Sequence, residues 1–340
     1  MFGGKMNLNH ATTLKYPSQF IGRSTLNYRT KNRSVKSNSV TFVAVKPLSV
    51  ILQTNESENL HSNNVSSSSA PANYRKDSPL LSQMNTVGII GGVSATSTLD
   101  FAEKLVEWSS QEGEENLPFI ICSDPELRKQ LSSCGGSFHV NTRNACLDLD
   151  FAPVLQNLRS KTAFLEQSGA RCIVMPCHVS HIWHSEVSEG CSVPFLHMGD
   201  CVAEELKEAN LKPLEAGSNV RIGVLATDTT LTARYYQEKL QNEGFEVVLP
   251  DKAAMEHTVV PAIEALNRKD IEGARNLLRV AIQVLLVRAV NVVVLASDEM
   301  RCLLPPDDPL LKKCIHPVDA LARSTIKWAQ SDNLRKTFET

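Results

Sequence analysis

The sequence predicts an α/β protein made of two pseudo-symmetric domains, each a mostly parallel sheet flanked by helices. Short runs of β-branched and apolar residues alternate along the chain with longer stretches of helical spacing, which favours parallel strands joined by helical crossovers. The runs are apolar throughout, as in strands that helices cover on both faces. The order of elements then restarts, so residues 86–209 and 210–315 are predicted as two domains with the active site in the cleft between them.

In the first domain, the pattern predicts four strands and two helices. The strands are 86–90, 119–122, 172–175 and 194–198, and the helices are 97–110 and 154–169. In the second domain, three strands and three helices follow. The strands are 220–225, 245–249 and 292–295, and the helices are 230–242, 259–266 and 271–288. A last helix over 318–328 ends the fold, and residues 316–330 are expected to pack back on the first domain.

Composition narrows the possible functions. The formal net charge is −2 and 42% of the residues are hydrophobic, so neither nucleic acid nor a membrane surface is predicted as a partner. The apolar runs are too short to cross a membrane as helices. Nine cysteines include no CxxC pair, so neither a disulfide framework nor a zinc site is predicted, and we expect mostly reduced, buried thiols. We also expect a homodimer.

The first 85 residues have a different composition from the rest of the chain. Residues 1–55 contain eight Lys and Arg but no Asp or Glu, and they are rich in Ser, Thr and Asn. This composition is typical of an organelle transit peptide, whereas a secretory signal would need a continuous apolar segment. A disordered regulatory tail is the alternative. The abundance of hydroxyl residues favours a chloroplast leader, with the mitochondrion as the alternative location.

In sheets of this kind, ligands bind at the carboxyl ends of the strands, so the loops there are candidate sites. The first loop, residues 91–98, has the sequence GGVSATST. Glycines allow backbone N–H groups to approach an anion at a helix start, although a tight strand–helix turn needs them as well. Because the third glycine and the ribose-binding acid of dinucleotide sites are missing, a dehydrogenase is not predicted.

Three further loops carry polar side chains that suit chemistry on a small carboxylate. Cys177 follows an apolar strand near a predicted helix start, where a thiolate is stabilised, and His178 and His181 lie beside it in sequence. A buried structural cysteine is the alternative. In the second domain, Thr227 and Ser297 follow the first and third strands, and Ser297 holds the position equivalent to Cys177.

In their order, these loops resemble those of the aspartate/glutamate racemase family. Together with the predicted leader, they make the chain resemble a plant plastid-type member of that family. The resemblance covers residues 86–329, and one such motif alone would be unspecific. The matching segments are GGVSATST at 91–98, PCHVSH at 176–181, ATDTT at 226–230 with the tyrosine pair 235–236, ASDE at 296–299 and HPVD at 316–319.

The resemblance implies a racemase or epimerase that moves the α-proton of a small amino acid or related carboxylate without any cofactor or metal. Two side chains on opposite faces of the α-carbon exchange the proton, and the matching positions are Cys177 and Ser297. Donors around them must stabilise the negative charge that develops. By this resemblance, the substrate-binding residues are Ser94, Thr98, Arg128, His178, Ser180, Thr227 and Asp298.

Ser297 stands where the family has its second cysteine, and this departure leaves other functions open. A hydroxyl is far less acidic than a thiol and needs a neighbouring base to accept a proton from carbon. One alternative is a decarboxylase or isomerase that uses Cys177 alone as its proton donor. Another is a ligand-binding protein that has lost catalysis, since Val179, Ser297 and Asp298 all depart from the family pattern.

Overall fold

Two parallel sheets flanked by helices form the core of the computed structural model. The model describes residues 85–110, 117–133, 151–301 and 303–337, and for residues 332–337 it describes the backbone alone. These residues belong to one compact unit, 72–340. The predicted leader, residues 1–85, lies outside the described part of the chain except for its last residue.

The first sheet has the strand order β2-β1-β3, and every pairing in it is parallel. Its strands are buried or half-buried along most of their length, because helices pack on both faces. The elements of this half are β1 (Val87–Gly91), α1 (Ala95–Ser110), β2 (Phe119–Ser123), α2 (Glu126–Ser133), α3 (Ala152–Gln167), β3 (Cys172–Val174), the 3₁₀ helix Val179–Trp183, α4 (His184–Ser188) and α5 (Met198–Glu208).

The second sheet has the order β5-β4-β6-β7, again with parallel pairings throughout. Its elements are β4 (Arg221–Ala226), α6 (Asp228–Ala233), α7 (Tyr235–Asn242), β5 (Glu246–Val248), α8 (Lys252–Ala254), the π-helix Met255–Val259, α9 (Val260–Asn267), α10 (Ile271–Leu286), β6 (Val292–Ala296), the 3₁₀ helix Pro309–Lys313, β7 (Cys314–Ile315) and α11 (Pro317–Thr337). The prediction of an α/β fold with parallel sheets flanked by helices is confirmed.

One hydrophobic core joins the two sheets. It includes side chains from both central strands, β1 and β4, and from the helices that pack between them. The last helix, α11, packs against α1 and α5 of the first half as well as touching β6. The carboxyl ends of the two sheets are therefore held in a fixed relation by shared packing, which positions the loops that follow the strands.

Two predicted elements were wrong in detail. Residues 194–198 do not form a strand: only Phe195 bridges to Ile173, and α5 begins at Met198 because the side chain of His197 accepts the N–H of Gly199 and caps the helix. The predicted helix 230–242 is divided into α6 and α7 at Arg234, whose φ of 61° is left-handed. The patterns also missed α2, α5 and β7.

A glycine fixes the first loop of the site. Gly92 has a φ of 118°, and a Cβ built on it would lie 2.3 Å from the carbonyl oxygen of Asp124. Any other residue would be strained in that conformation and would push the loops after β1 and β2 apart.

Among the described helices, none is long and apolar enough to cross a membrane.

Candidate active site

The loops that follow β1, β3 and β6 meet across the cleft between the two sheets. Ser97, at the start of α1, donates its hydroxyl proton to Asp298 Oδ1 at 2.7 Å. On the other side, the hydroxyl of Tyr235 on α7 donates to the carbonyl oxygen of His178 at 3.1 Å. The hydroxyl oxygen of Tyr236 lies 2.9 Å from His178 Nδ1. These contacts join residues more than 50 positions apart, so the cleft is built by tertiary packing.

Cys177 lies just beyond β3 and is 3% exposed. Burial raises the pKa of its thiol, and the negative charge of Asp298 raises it further. The hydroxyl and backbone N–H of Ser180 and the backbone N–H of Val179 hydrogen-bond to the sulfur and act in the opposite direction, but they do not outweigh burial. The side chain is therefore a protonated thiol at neutral pH.

Ser297 is also buried, at 2% exposure, and its hydroxyl has a carboxylate partner. It donates to Glu299 Oε2 at 2.6 Å and accepts the backbone N–H of Glu299 at 3.3 Å. A carboxylate that can accept the hydroxyl proton therefore lies against Ser297. Asp298, the adjacent acid in sequence, turns the other way, towards Ser97. The sequence motif contained Glu299 but gave no signal that it, rather than Asp298, would reach the hydroxyl.

His178 and Asp298 face each other near the centre of the cleft. His178 Nε2 lies 3.6 Å from Asp298 Oδ1. Burial lowers the pKa of His178, and the neighbouring charges of Asp298 and Glu299 only partly oppose that effect. The imidazole is therefore neutral at physiological pH, and the negative charge of Asp298 is not balanced by a histidine cation.

Two cavities lie beside these residues. The Ser297 cavity has a volume of about 320 Å³, within the range of small-molecule sites. Its lining residues are His178, Val179, Thr227–Thr230, Met255, Val259, Val260, Ile263, Glu264, Asn267 and Ser297–Glu299. The Arg128 cavity is larger, about 610 Å³, and is lined by residues that include Ser94, Thr96 and Arg128. Three residues line both cavities and so form the wall between them: Val179, Asp298 and Glu299.

The predicted site residues divide into those that line a cavity and those that are enclosed. Ser94 and Arg128 line the Arg128 cavity; His178, Thr227 and Ser297 line the Ser297 cavity; and Asp298 lines both. Cys177, Thr98 and Ser180 line neither. The hydroxyl of Thr98 on α1 donates to the carbonyl of Ser94, the residue before the helix, at 2.8 Å, as threonines in helices commonly do. Ser180 hydrogen-bonds to the thiol of Cys177.

Three histidines pack together beside the Cys177 loop, the segment that follows β3. They are His181, His184 and His197, here named the histidine cluster. Their ring centroids lie 4.6–5.6 Å apart. His181 Nε2 lies 2.7 Å from the carbonyl oxygen of Met175, two residues before the thiol. Burial lowers the pKa of all three, and that of His197 falls to about 4. In the described residues, no group of three or more His, Cys, Asp or Glu is arranged to hold a metal ion.

Ion pairs hold the Ser297 loop, the segment that follows β6. Arg301 forms an ion pair with Asp100 on α1, and its Nη2 lies 3.6 Å from Asp319 Oδ1 on α11. Lys104 Nζ lies 3.0 Å from the same Asp319 oxygen. The side chain of Arg301 is only 12% exposed, so solvent and salt screen these pairs weakly. They hold the loop after β6 against the first half of the molecule.

The amino-acid sequence of this chain is similar to those of known proteins. The chain is 29% identical over 159 residues to an uncharacterised protein in the pnlA 3′ region of Pectobacterium carotovorum subsp. carotovorum, a match that covers 46% of this chain and 99% of that protein. It is 25% identical over 169 residues to the broad specificity amino-acid racemase RacX of Bacillus subtilis (strain 168). That match covers 48% of this chain and 64% of RacX, which is less than two thirds of the relative's length.

Solved structures share the fold. An aspartate racemase homologue from Pyrococcus horikoshii OT3 matches with a TM-score of 0.58 at 22% identity, over 73% of this chain and 100% of that one. The aspartate racemase of Picrophilus torridus matches with a TM-score of 0.54 at 24% identity, over 72% of this chain and 94% of that one. The sequence model described as Asp/Glu/Hydantoin racemase matches residues 90–325. The chain therefore belongs to the Asp/Glu/hydantoin racemase family.

Proposed function

We propose that this protein is a cofactor-independent amino-acid racemase or epimerase, in which Cys177 and Ser297 move the α-proton. The observation that carries the proposal is the hydrogen bond of 2.6 Å from the Ser297 hydroxyl to Glu299. It gives the serine the base that a hydroxyl lacks by itself. Family membership and the similarity to RacX support the reaction class.

The proposed proton path is asymmetric. The α-proton passes to Ser297 Oγ while the hydroxyl proton passes to Glu299 Oε2, and the electron pair of the C–H bond remains on the substrate. The Cys177 thiol then donates its proton to the opposite face of the α-carbon. Turnover leaves a Cys177 thiolate and a protonated Glu299, which carry the reverse reaction or exchange protons with water. Because burial keeps Cys177 protonated, the resting protein already holds the proton that this path requires.

The charges around the cleft support a zwitterionic ligand. Ser94 and Arg128 line one cavity, near the N-terminus of α1, which favours negative charge. Asp298 lies in the wall between the cavities and suits the α-ammonium group. An ammonium bound there would also offset the charge of Asp298, which raises the Cys177 pKa. Substrate binding would therefore lower that pKa and make the thiolate easier to form. The substrate carboxylate, held by donors, would take up charge as the proton leaves.

The test is α-hydrogen exchange. The full chain is incubated with single enantiomers of a broad amino-acid panel in D₂O, and loss of the α-proton signal and formation of the other enantiomer are measured by NMR and chiral chromatography. Cys177→Ala should lower the rate by at least ~100-fold, the usual contribution of a general acid or base. The matched control is Cys201→Ala, because Cys201 is a similarly buried free thiol on α5 that lines neither cavity. Full activity of Cys177→Ala would contradict the proposal.

Ligand binding without turnover is the second candidate function. It is favoured by Asp298, whose charge opposes ionisation of Cys177 and which stands in the wall between the two cavities. An amino acid that raises the melting temperature of the protein, without any α-hydrogen exchange, would support this function and exclude the racemase.

A further inference from the structure

The Ser297 cavity is strongly acidic. Four carboxylates line it, from Asp228, Glu264, Asp298 and Glu299, and no Lys or Arg is among its described lining residues. The one histidine in the lining, His178, is held neutral by burial. Because these negative charges converge on one cavity, its potential favours a cation and disfavours an additional anion.

The same cavity has an apolar wall. The wall is formed by four apolar side chains: Met255 and Val259 from the π-helix, and Val260 and Ile263 from α9. Along α9, Glu264 lies one helical turn beyond Val260 on the same face. The wall therefore changes from apolar to acidic within about 5 Å, which is the rise of a single turn.

We propose that the Ser297 cavity receives an aliphatic side chain that ends in a cation, an ammonium or guanidinium group, rather than the carboxylate side chain of aspartate or glutamate. The methylene groups pack on the wall formed by the π-helix and α9, and the cation pairs with the carboxylates of Asp228 and Glu264, which the proposed proton path does not use. This inference rests on the proposed function, because it takes the cavity beside Ser297 as the side-chain pocket of the substrate.

Glu264 is the carboxylate best placed to recognise the cation. It lies on the exposed part of the cavity rim, and its present partner is Arg268, the C-cap residue of α9, at 3.7 Å. Both side chains are more than half exposed, so this pair is weak and a ligand cation can replace it. A glutamate substrate would instead place its side-chain carboxylate among four like charges, whereas Arg128 lies in the other cavity.

Lysine, norleucine and glutamate together test the inference, because norleucine has the four-carbon chain of lysine without the ammonium group. Binding to the full chain is measured by calorimetry, and α-hydrogen exchange is measured in D₂O. We expect lysine to bind about fivefold more tightly than norleucine, as one or two exposed ion pairs allow. Glutamate should bind roughly tenfold more weakly than lysine, and 0.5 M salt should reduce the preference for lysine.

Two matched variants locate the preference. Glu264→Gln should lower the ratio of lysine to norleucine affinity by about threefold, since it removes a charge and keeps the shape. Glu272→Gln is the control: Glu272 is likewise an exposed glutamate in an ion pair with an arginine of its own helix, but it does not line the cavity. The control should leave the ratio unchanged.

The outcomes separate this inference from the proposed function. Preferential lysine binding without exchange would uphold the cation pocket and refute the racemase. Exchange of glutamate or norleucine as fast as lysine would uphold the racemase and overturn the pocket. Equal affinity for lysine and norleucine, or no binding of any of the three, would also overturn it, as would a Glu272→Gln effect as large as that of Glu264→Gln.

Discussion

The loops carrying Cys177 and Ser297 follow equivalent strands of the two halves, yet they differ in both chemistry and support. The Cys177 loop presents a buried thiol whose pKa is raised, and the histidine cluster contacts this loop through His181 and the carbonyl of Met175. The Ser297 loop presents a hydroxyl bonded to a carboxylate, and ion pairs from Arg301 hold it in place. A fold repeated in two halves thus places two different side chains after equivalent strands, a protonated thiol and a hydroxyl that is bonded to a carboxylate.

The largest expected effect comes from removing the base on the Ser297 side. Glu299→Gln should lower α-hydrogen exchange by roughly 100-fold, because the hydroxyl then has no carboxylate to receive its proton. In a Ser297→Cys background, the same change should cost less than about tenfold, since a thiol ionises far more readily than a hydroxyl. Glu238→Gln, an exposed acid on α7 outside both cavities, is the control. Equal losses in the two backgrounds would show that Glu299 does not act through Ser297.

A smaller effect is expected from the charge between the loops. Asp298→Asn keeps an oxygen for the Ser97 hydroxyl but removes the charge that raises the Cys177 pKa, so that pKa should fall while burial still keeps it above the ordinary value. The thiolate fraction, and with it the rate of alkylation of Cys177 by iodoacetamide, should rise up to about tenfold. Mass spectrometry of the Cys177 peptide measures the rate.

Asp200→Asn is the matched control for that experiment, because Asp200 is an exposed acid on α5 that pairs with Lys239 and has no contact with Cys177. An unchanged alkylation rate in Asp298→Asn, or an equal rise in both variants, would mean that the charge of Asp298 does not control the thiol.

The smallest effect is on stability in acid, and it concerns the support of the Cys177 loop. Burial lowers the pKa of the cluster histidines in the folded state, so the unfolded chain binds their protons first as the pH falls. Stability should therefore be complete above about pH 6.5 and should fall towards pH 4, the folded pKa of His197. His197→Asn retains a capping acceptor for α5 but does not titrate. Between pH 7 and 4.5, the melting temperature of the variant should fall roughly 4 °C less than that of the wild type. Parallel curves would contradict a role for His197.

Local patterns were sufficient for most of the framework. The strands β1, β2, β4 and β6 lie within one or two residues of their predicted positions. Buried parallel strands are continuous apolar runs, and turn-forming residues mark both ends of each run. The failures occurred where tertiary contacts prevail over local pattern. Residues 194–198 look like a strand, but the capping of α5 by His197 turns the chain into a helix.

The site was predictable in outline only. Sequence order placed Cys177 and Ser297 after equivalent strands, and both are buried beside the cleft. The partners of each were not predictable, since Ser97, Glu299 and Tyr236 reach the site through side-chain directions that spacing does not specify. Thr98 and Ser180 line neither cavity, and their role in substrate binding stays a prediction.

By itself, the sequence determined the family, the alternation of strands and helices, and which loops carry chemistry, since these depend on residue type and local periodicity. It also predicts a transit peptide within residues 1–85, which stays a prediction. Only the tertiary structure decided that Glu299 rather than Asp298 accepts the hydrogen bond of Ser297. It also decided that Asp298 faces Ser97 and His178, and that the adjoining cavity is acidic. These features depend on how two sheets, formed by residues 87–174 and 221–315, bring their carboxyl ends together.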